Sequence, residues 1–204
     1  MKNVGLYFMI NDSSTKQGVI ADVNAAIRAG CRVIHYNEKK LRKREIVENA
    51  YILAALCRRN NVFFIIEDYP DIAAIVGADG VHLTQSDFSI AHARRVIGDE
   101  KYIGVQYSSL RQALQAEEEG ANYVSVSPEN ENGKTIKAVV EVIKKIKERL
   151  TLPVIAVGVY NLEQMHSLFT MGADGIGVCP QSFDLFAEPS LYVQMRQKIF
   201  TEAL

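Results

Sequence analysis

Two aspartates stand where a metal ion could be held. Asp68 follows the apolar run 62–66 with Glu67 beside it, and Asp87 closes the stretch Thr84-Gln85-Ser86-Asp87 behind a second apolar run at 81–83. Hard carboxylate oxygens suit Mg²⁺, which takes one or two carboxylates, keeps several waters and shares the oxygens of substrate phosphates. Each aspartate also suits the opening of the helix that follows it, where negative charge is favoured, with Pro70 and Ser89 marking those openings. His35 is a candidate base at the end of another apolar run, although a histidine so placed serves equally well as a hydrogen-bonded structural residue. His82 lies between Val81 and Leu83 and reads as strand lining, whereas His92 and His166 fall on the outer sides of helical patterns.

The elements that must position these groups follow from hydrophobic spacing. Unbroken apolar runs read as strands buried on both faces, the habit of parallel sheets. Such runs recur near 5–10, 32–36, 62–66, 80–83, 102–105, 123–126, 154–157 and 175–179. Between them lie segments with apolar residues three and four apart and a charged outer side, over 15–28, 44–60, 71–76 (a short turn), 89–97, 109–118, 136–150, 162–171 and 190–200. A small motif marks four of the junctions: Gly30, Gly77, Gly120 and Gly172 are each followed by a small residue or cysteine and then a strand. Glycine is the favoured left-handed cap of a helix, and these caps are spaced at about twice the length of one strand–helix unit. Eight strands alternating with eight helices, and no Pro/Gly/Ser-rich linker, predict a single (β/α)8 TIM barrel domain over 1–204; a doubly wound open sheet rarely needs eight repeats. Its chemistry belongs on the loops after the strands, which begin at Asn11-Asp12, Asn37-Glu38-Lys39, Glu67-Asp68, Thr84, Gln106-Tyr107, Ser127, Gly158-Val159 and Pro180-Gln181.

Bulk properties exclude several classes of partner. The chain has 204 residues, a formal net charge of −1 and 48% hydrophobic residues, so bulk electrostatics favour neither nucleic acid nor an anionic membrane. The apolar start is too short to span a bilayer and has no signal-peptide cleavage pattern. Cys31, Cys57 and Cys179 form no CxxC pair, and an odd count fits buried thiols in a reducing cytoplasm. Gly133-Lys134-Thr135 lacks the first glycine of a phosphate-binding loop, and the basic stretch beyond Lys39 is offset by Glu38, Glu45 and Glu48. Exterior helices leave room for a homo-oligomer.

VGADGVHLTQSD, VIHYNEKKL, IGVQYSSLRQALQAEEEGANYVSVSP, LPVIAVGVYNLEQ and the GADGIGV before Cys179 together resemble thiamine phosphate synthase and its thiazole tautomerase relatives, from about residue 6 to 181. The resemblance implies a barrel that binds hydroxymethylpyrimidine diphosphate with Mg²⁺ and a thiazole phosphate, small molecules both. Pyrophosphate departs, and the thiazole nitrogen captures the pyrimidine cation. By the same resemblance Asp68 and Asp87 hold the metal, and Lys39 and Lys134 grip phosphate. Gly158 opens the thiazole-phosphate loop. Substrate contacts are expected at Asn37, Gln106, Val159 and Cys179, and chemistry at Lys39, His35 and Glu67.

The chain departs from that pattern at charged and phosphate-binding positions. Asn37 replaces an arginine, Glu67 an asparagine, Gln106 a serine, Val159 a glycine and Pro180 a serine, while Ser108 stands where the tautomerases carry their histidine. Loss of the arginine together with an added carboxylate is expected to weaken diphosphate attraction by roughly 2–8 kcal/mol before a metal screens it. Three readings follow: a diverged synthase, a tautomerase-like isomerase using His35 or Glu67 as base, and a non-catalytic relative that binds a thiamine-related phosphate.

Overall fold

Eight parallel strands close on themselves in chain order in the computed structural model, which describes residues 4–84, 88–107, 109–127, 136–158 and 161–180. They are β1 (Gly5–Ile10), β2 (Val33–Tyr36), β3 (Phe63–Glu67), β4 (Gly80–Leu83), β5 (Tyr102–Gln106), β6 (Tyr123–Val126), β7 (Val154–Val157) and β8 (Gly175–Val178). Each pairs with the next, and β8 returns to β1 with Gly175 opposite Gly5. Among the described residues seven helices alternate with them: α1 (Val19–Arg28), α2 (Lys43–Arg59), α3 (Pro70–Val76), α4 (Ile90–Ile97), α5 (Leu110–Glu118), α6 (Ile136–Lys147) and α7 (Leu162–Thr170). The expected TIM barrel is therefore present. The eighth helix, expected over 190–200, lies outside the described residues.

The junction glycines explain the regularity. Gly30, Gly77, Gly120 and Gly172 all adopt positive φ, a conformation that turns the chain out of a helix and toward the next strand without a Cβ clash. Several predicted boundaries shift by one to three residues, as at α6, which ends at Lys147 rather than 150, and the short turn expected over 71–76 is the helix α3; the start of α1 moves furthest. Helix α1 begins at Val19 rather than 15, because the buried Asp22 carboxylate accepts hydrogen bonds from Thr15 Oγ1 and from the backbone N–H groups of Lys16 and Gln17. Those bonds hold 15–17 as a loop folded over the helix start, so the apolar spacing ran further than the helix does.

The apolar core has two parts. The larger lies between sheet and helices, where Ile10, Val23, Ile34, Ala50, Leu53, Ile66 and Val81 are fully enclosed. The smaller fills the barrel itself with Tyr7, Val33, Ile65, Tyr123 and Ile155. Large rings fit there only because neighbouring strands supply glycine. A Cβ at Gly104 would stand 2.0 Å from Tyr123 Cζ, far inside contact distance. The Tyr123 hydroxyl meets Tyr7 Oη at 2.8 Å, so the plug of the barrel is both packed and hydrogen-bonded. No helix among the described residues is long and apolar enough to cross a membrane.

Gly104→Ala should lower unfolding stability by about 3 kcal/mol, the upper range of overpacking costs, because the Tyr123 ring has no free space to move into. Urea unfolding measures this, and an unchanged midpoint would show that the ring is not confined as described.

Candidate active site

Three side chains meet at the carboxyl ends of β2 and β3. Lys39 extends from the loop after β2, and its Nζ lies 2.9 Å from Glu67 Oε1 and 2.6 Å from Asp68 Oδ2. Glu67 ends β3, and Asp68 follows it directly. Consecutive residues of a strand point to opposite faces, so two adjacent carboxylates should not share a partner. The backbone resolves this at Asp68, which takes the left-handed conformation with φ 55, uncommon for a residue with a side chain. The turn carries its carboxylate round toward Lys39. Thr84, just past β4, fixes it there: the Thr84 N–H donates to Asp68 Oδ1 at 2.8 Å and the Thr84 hydroxyl to Oδ2 at 2.6 Å.

Beneath this triad a row of polar groups descends into the barrel. His35, 1% exposed, places Nε2 at 3.2 Å from Glu67 Oε2, but neither ring nitrogen makes a well-aligned hydrogen bond among the described residues. Its ring packs edge-on against Tyr7 and His82, with centroids 5.3 and 5.1 Å away. His82 is fully satisfied by contrast, with Nδ1 3.2 Å from Tyr123 Oη and Nε2 3.1 Å from Ser125 Oγ. Sequence parity could have found Tyr7, Tyr123 and Ser125, because each occupies an inward-facing strand position where aliphatic residues are ordinary.

The electrostatics follow from this packing. Burial alone would push the Glu67 carboxyl up, but His35 first, then His82 and Lys39, reverse the effect and hold it at about 2. Burial is the main cause that pushes His82 down to about 3, with His35 adding to it, so His82 is neutral at ordinary pH. Burial would lower Lys39, yet its bonds to Asp68 and Glu67 win and raise it. Lys39 is therefore an ammonium clamped between two ionised carboxylates. Among the described residues no group of three or more His, Cys, Asp or Glu side chains forms a complete metal cage. Glu67 and Asp68 nevertheless already hold one cation, the ammonium, and two hard carboxylates suit a Mg²⁺ that fills its remaining positions with water and substrate oxygens.

Glu38 has a role that its sequence context concealed. By its sequence context it offsets a basic stretch, but it is 2% exposed and accepts hydrogen bonds from the N–H groups of Asp12, Lys40 and Leu41. Those bonds fasten the loop after β2 to the loop after β1 and so aim Lys39. Asp12, facing the Glu38 charge across that seam, is raised by burial first and by Glu38 second.

On the other side of β1 the rim opens a cavity of about 240 Å³ lined by Met9, Asn11, Ser14, Asn37, Val157, Gly158, Gly177, Val178 and Cys179. Three of the expected substrate contacts, Asn37, Gly158 and Cys179, meet there. Asn37 is held by Asn11 Nδ2 at 3.3 Å. Gln106 stands apart from that cavity, with its amide nitrogen 3.5 Å from Ser127 Oγ. Asp87, Lys134 and Val159 lie outside the described residues. His82 lines the barrel and His92 is exposed, as expected, while His166 is half-buried.

Comparison with known proteins places this geometry in context. A family model described as thiamine monophosphate synthase matches residues 6–181. A thiamine-phosphate synthase of Methanosarcina barkeri is 32% identical over 182 residues, covering 86% of this chain and 81% of its own. One from Clostridium novyi is 35% identical over 182 residues, covering 86% and 89%. The solved structure of a thiamine phosphate pyrophosphorylase from Pyrococcus furiosus superposes with a TM-score of 0.86 at 27% identity, covering 98% of both chains.

Acid should destabilise this protein in two windows of the same sign. Below about 6.5, the ordinary histidine value, the unfolded chain takes up a proton at His82 that the folded chain refuses until about 3, so stability falls by up to about 1.4 kcal/mol per pH unit. The stability Glu67 contributes is present above its ordinary 4.5 and is lost as pH falls toward about 2. In urea titrations His82→Gln should flatten the slope between those two ordinary values. An unchanged slope would contradict a neutral, buried His82.

Proposed function

The chain belongs to the thiamine monophosphate synthase family, and from that premise we propose that it is a transferase joining a hydroxymethylpyrimidine diphosphate to a thiazole phosphate with release of pyrophosphate. The observation that carries the reading is the Lys39 ammonium held between Glu67 and Asp68 at the ends of β2 and β3. A reaction that expels pyrophosphate builds negative charge on the leaving oxygens, and fixed cations aimed at that position stabilise the transition state. The bond between the pyrimidine methylene carbon and the diphosphate oxygen breaks, and its electron pair leaves with the diphosphate. The thiazole nitrogen lone pair then forms the new carbon–nitrogen bond, and no proton need be moved.

Within this reading Lys39 meets the diphosphate and Asp68 supplies the metal carboxylate. Asp68 would hold a Mg²⁺, and the chemistry such an ion would supply is positive charge against the departing diphosphate. Asp87 and Lys134 join these roles by family resemblance. The cavity beside β1 takes the thiazole phosphate, with Asn37, Gly158 and Cys179 in its lining; Val159 and Gln106 join as substrate contacts by family resemblance alone. The penalty expected from Glu67 shrinks here, because its charge faces Lys39 and His35 rather than an open diphosphate subsite.

One observation favours a second reading. His35 has two buried ring nitrogens without aligned hydrogen bonds, an arrangement that costs about 1–3 kcal/mol unless a ligand engages them. That suits a tautomerase-like proton transfer on a thiazole carboxylate phosphate with His35 as base. Glu67, held at about 2, is a poor base for it.

With both synthase substrates and Mg²⁺, the purified protein should form thiamine phosphate, and Lys39→Ala should cut kcat/KM by about 10²–10³-fold. No product at high enzyme concentration would overturn the transferase reading. Loss of the exchangeable ring proton of a thiazole carboxylate phosphate, abolished by His35→Gln, would establish the second.

A further inference from the structure

We propose that Glu67 and Asp68 form a divalent-cation site which Lys39 fills with its own ammonium, and that the cation displaces Lys39 toward an incoming diphosphate. The inference rests on the transferase reading only for the identity of the anion; the exchange at the two carboxylates is a separate claim.

Four observations converge on it. Glu67 Oε1 and Asp68 Oδ2 approach a common point, since both contact one nitrogen at 2.9 and 2.6 Å. The left-handed backbone at Asp68, uncommon for a residue with a side chain, has the effect of bringing those two oxygens together. His35, 1% exposed and without an aligned hydrogen bond, stands 3.2 Å from the other Glu67 oxygen, so Oε2 faces the buried imidazole while Oε1 faces the ammonium. The partners also differ in freedom. The carboxylate side chains are 9% and 10% exposed and fixed to a strand end, while the Lys39 side chain is 47% exposed on a flexible stem.

Charge gives the exchange its consequence. Two carboxylates and one ammonium leave these three side chains with a formal charge of −1, which repels a diphosphate. A divalent cation in place of the ammonium brings the same three residues plus metal to +1 and frees Lys39 to face the anion. Cation alone must compete with a covalently tethered ammonium, whereas cation and diphosphate together give both charges a partner. Binding of the two is therefore positively coupled. Glu67, an asparagine in the family pattern, becomes a metal ligand in this chain.

Manganese binding followed by electron paramagnetic resonance tests this without any turnover. Mn²⁺ alone should bind the wild-type protein weakly, and inorganic pyrophosphate should tighten it at least tenfold. Lys39→Met should bind Mn²⁺ alone at least tenfold more tightly than wild type and lose most of the pyrophosphate coupling, with Lys39→Gln behaving likewise. Glu67→Gln in the Lys39→Met background should erase the gain. A Lys39→Met protein that binds Mn²⁺ no better than wild type, or a gain that survives Glu67→Gln, would overturn the proposal. Tight Mn²⁺ binding by Lys39→Met in a protein that makes no thiamine phosphate would uphold the exchange and remove only the transferase reading.

Discussion

A single ammonium between two carboxylates organises the rim of this barrel. Lys39 cannot reach both Glu67 and Asp68 unless β3 ends in a left-handed turn, unless Thr84 holds the Asp68 oxygens, and unless Glu38 pins the loop that carries the lysine. Each of those conditions belongs to a different strand or loop. The closed sheet supplies them together, because it sets the ends of β1, β2, β3 and β4 side by side at one rim. Stability and chemistry therefore share the same few contacts, and the strain at Asp68 is offset by the bonds its carboxylate accepts from Lys39 and Thr84.

The barrel interior shows how polar groups are kept below that rim without cost. His82 sits in the floor with a tyrosine on one nitrogen and a serine on the other, and burial keeps it uncharged. A neutral His82 adds no charge beneath Lys39. His35 is the exception, an enclosed imidazole whose nitrogens lack aligned partners. Buried polar groups are nearly always bonded, so this exception falls where a ligand is expected to enter.

Much of this was legible in the sequence, for physical reasons that differ by residue. Glycine caps at 30, 77, 120 and 172 make the barrel readable, because left-handed caps have a strong residue preference and these recur at intervals of about two strand–helix units. Placement of Lys39, Asp68 and Glu67 on one rim followed from the barrel rule that chemistry lies after the strands. Their bonding to one another did not follow, since the alternation of a strand puts Glu67 and Asp68 on opposite sides and only a left-handed residue reverses that. Glu38 looked like surface charge because its partners are backbone N–H groups, which leave no mark in a sequence. The start of α1 was misplaced for the same reason, as Asp22 recruits the backbone of 16 and 17.

The central claim, that one position between Glu67 and Asp68 serves either an ammonium or a divalent cation, is open to direct inspection. Crystals soaked with Mn²⁺ and inorganic pyrophosphate, with diffraction recorded at the manganese absorption edge, should show an anomalous peak within coordination distance of both carboxylates and Lys39 Nζ moved away onto the anion. A peak that leaves Glu67 uncoordinated, with Lys39 still bridging the two carboxylates, would contradict the account.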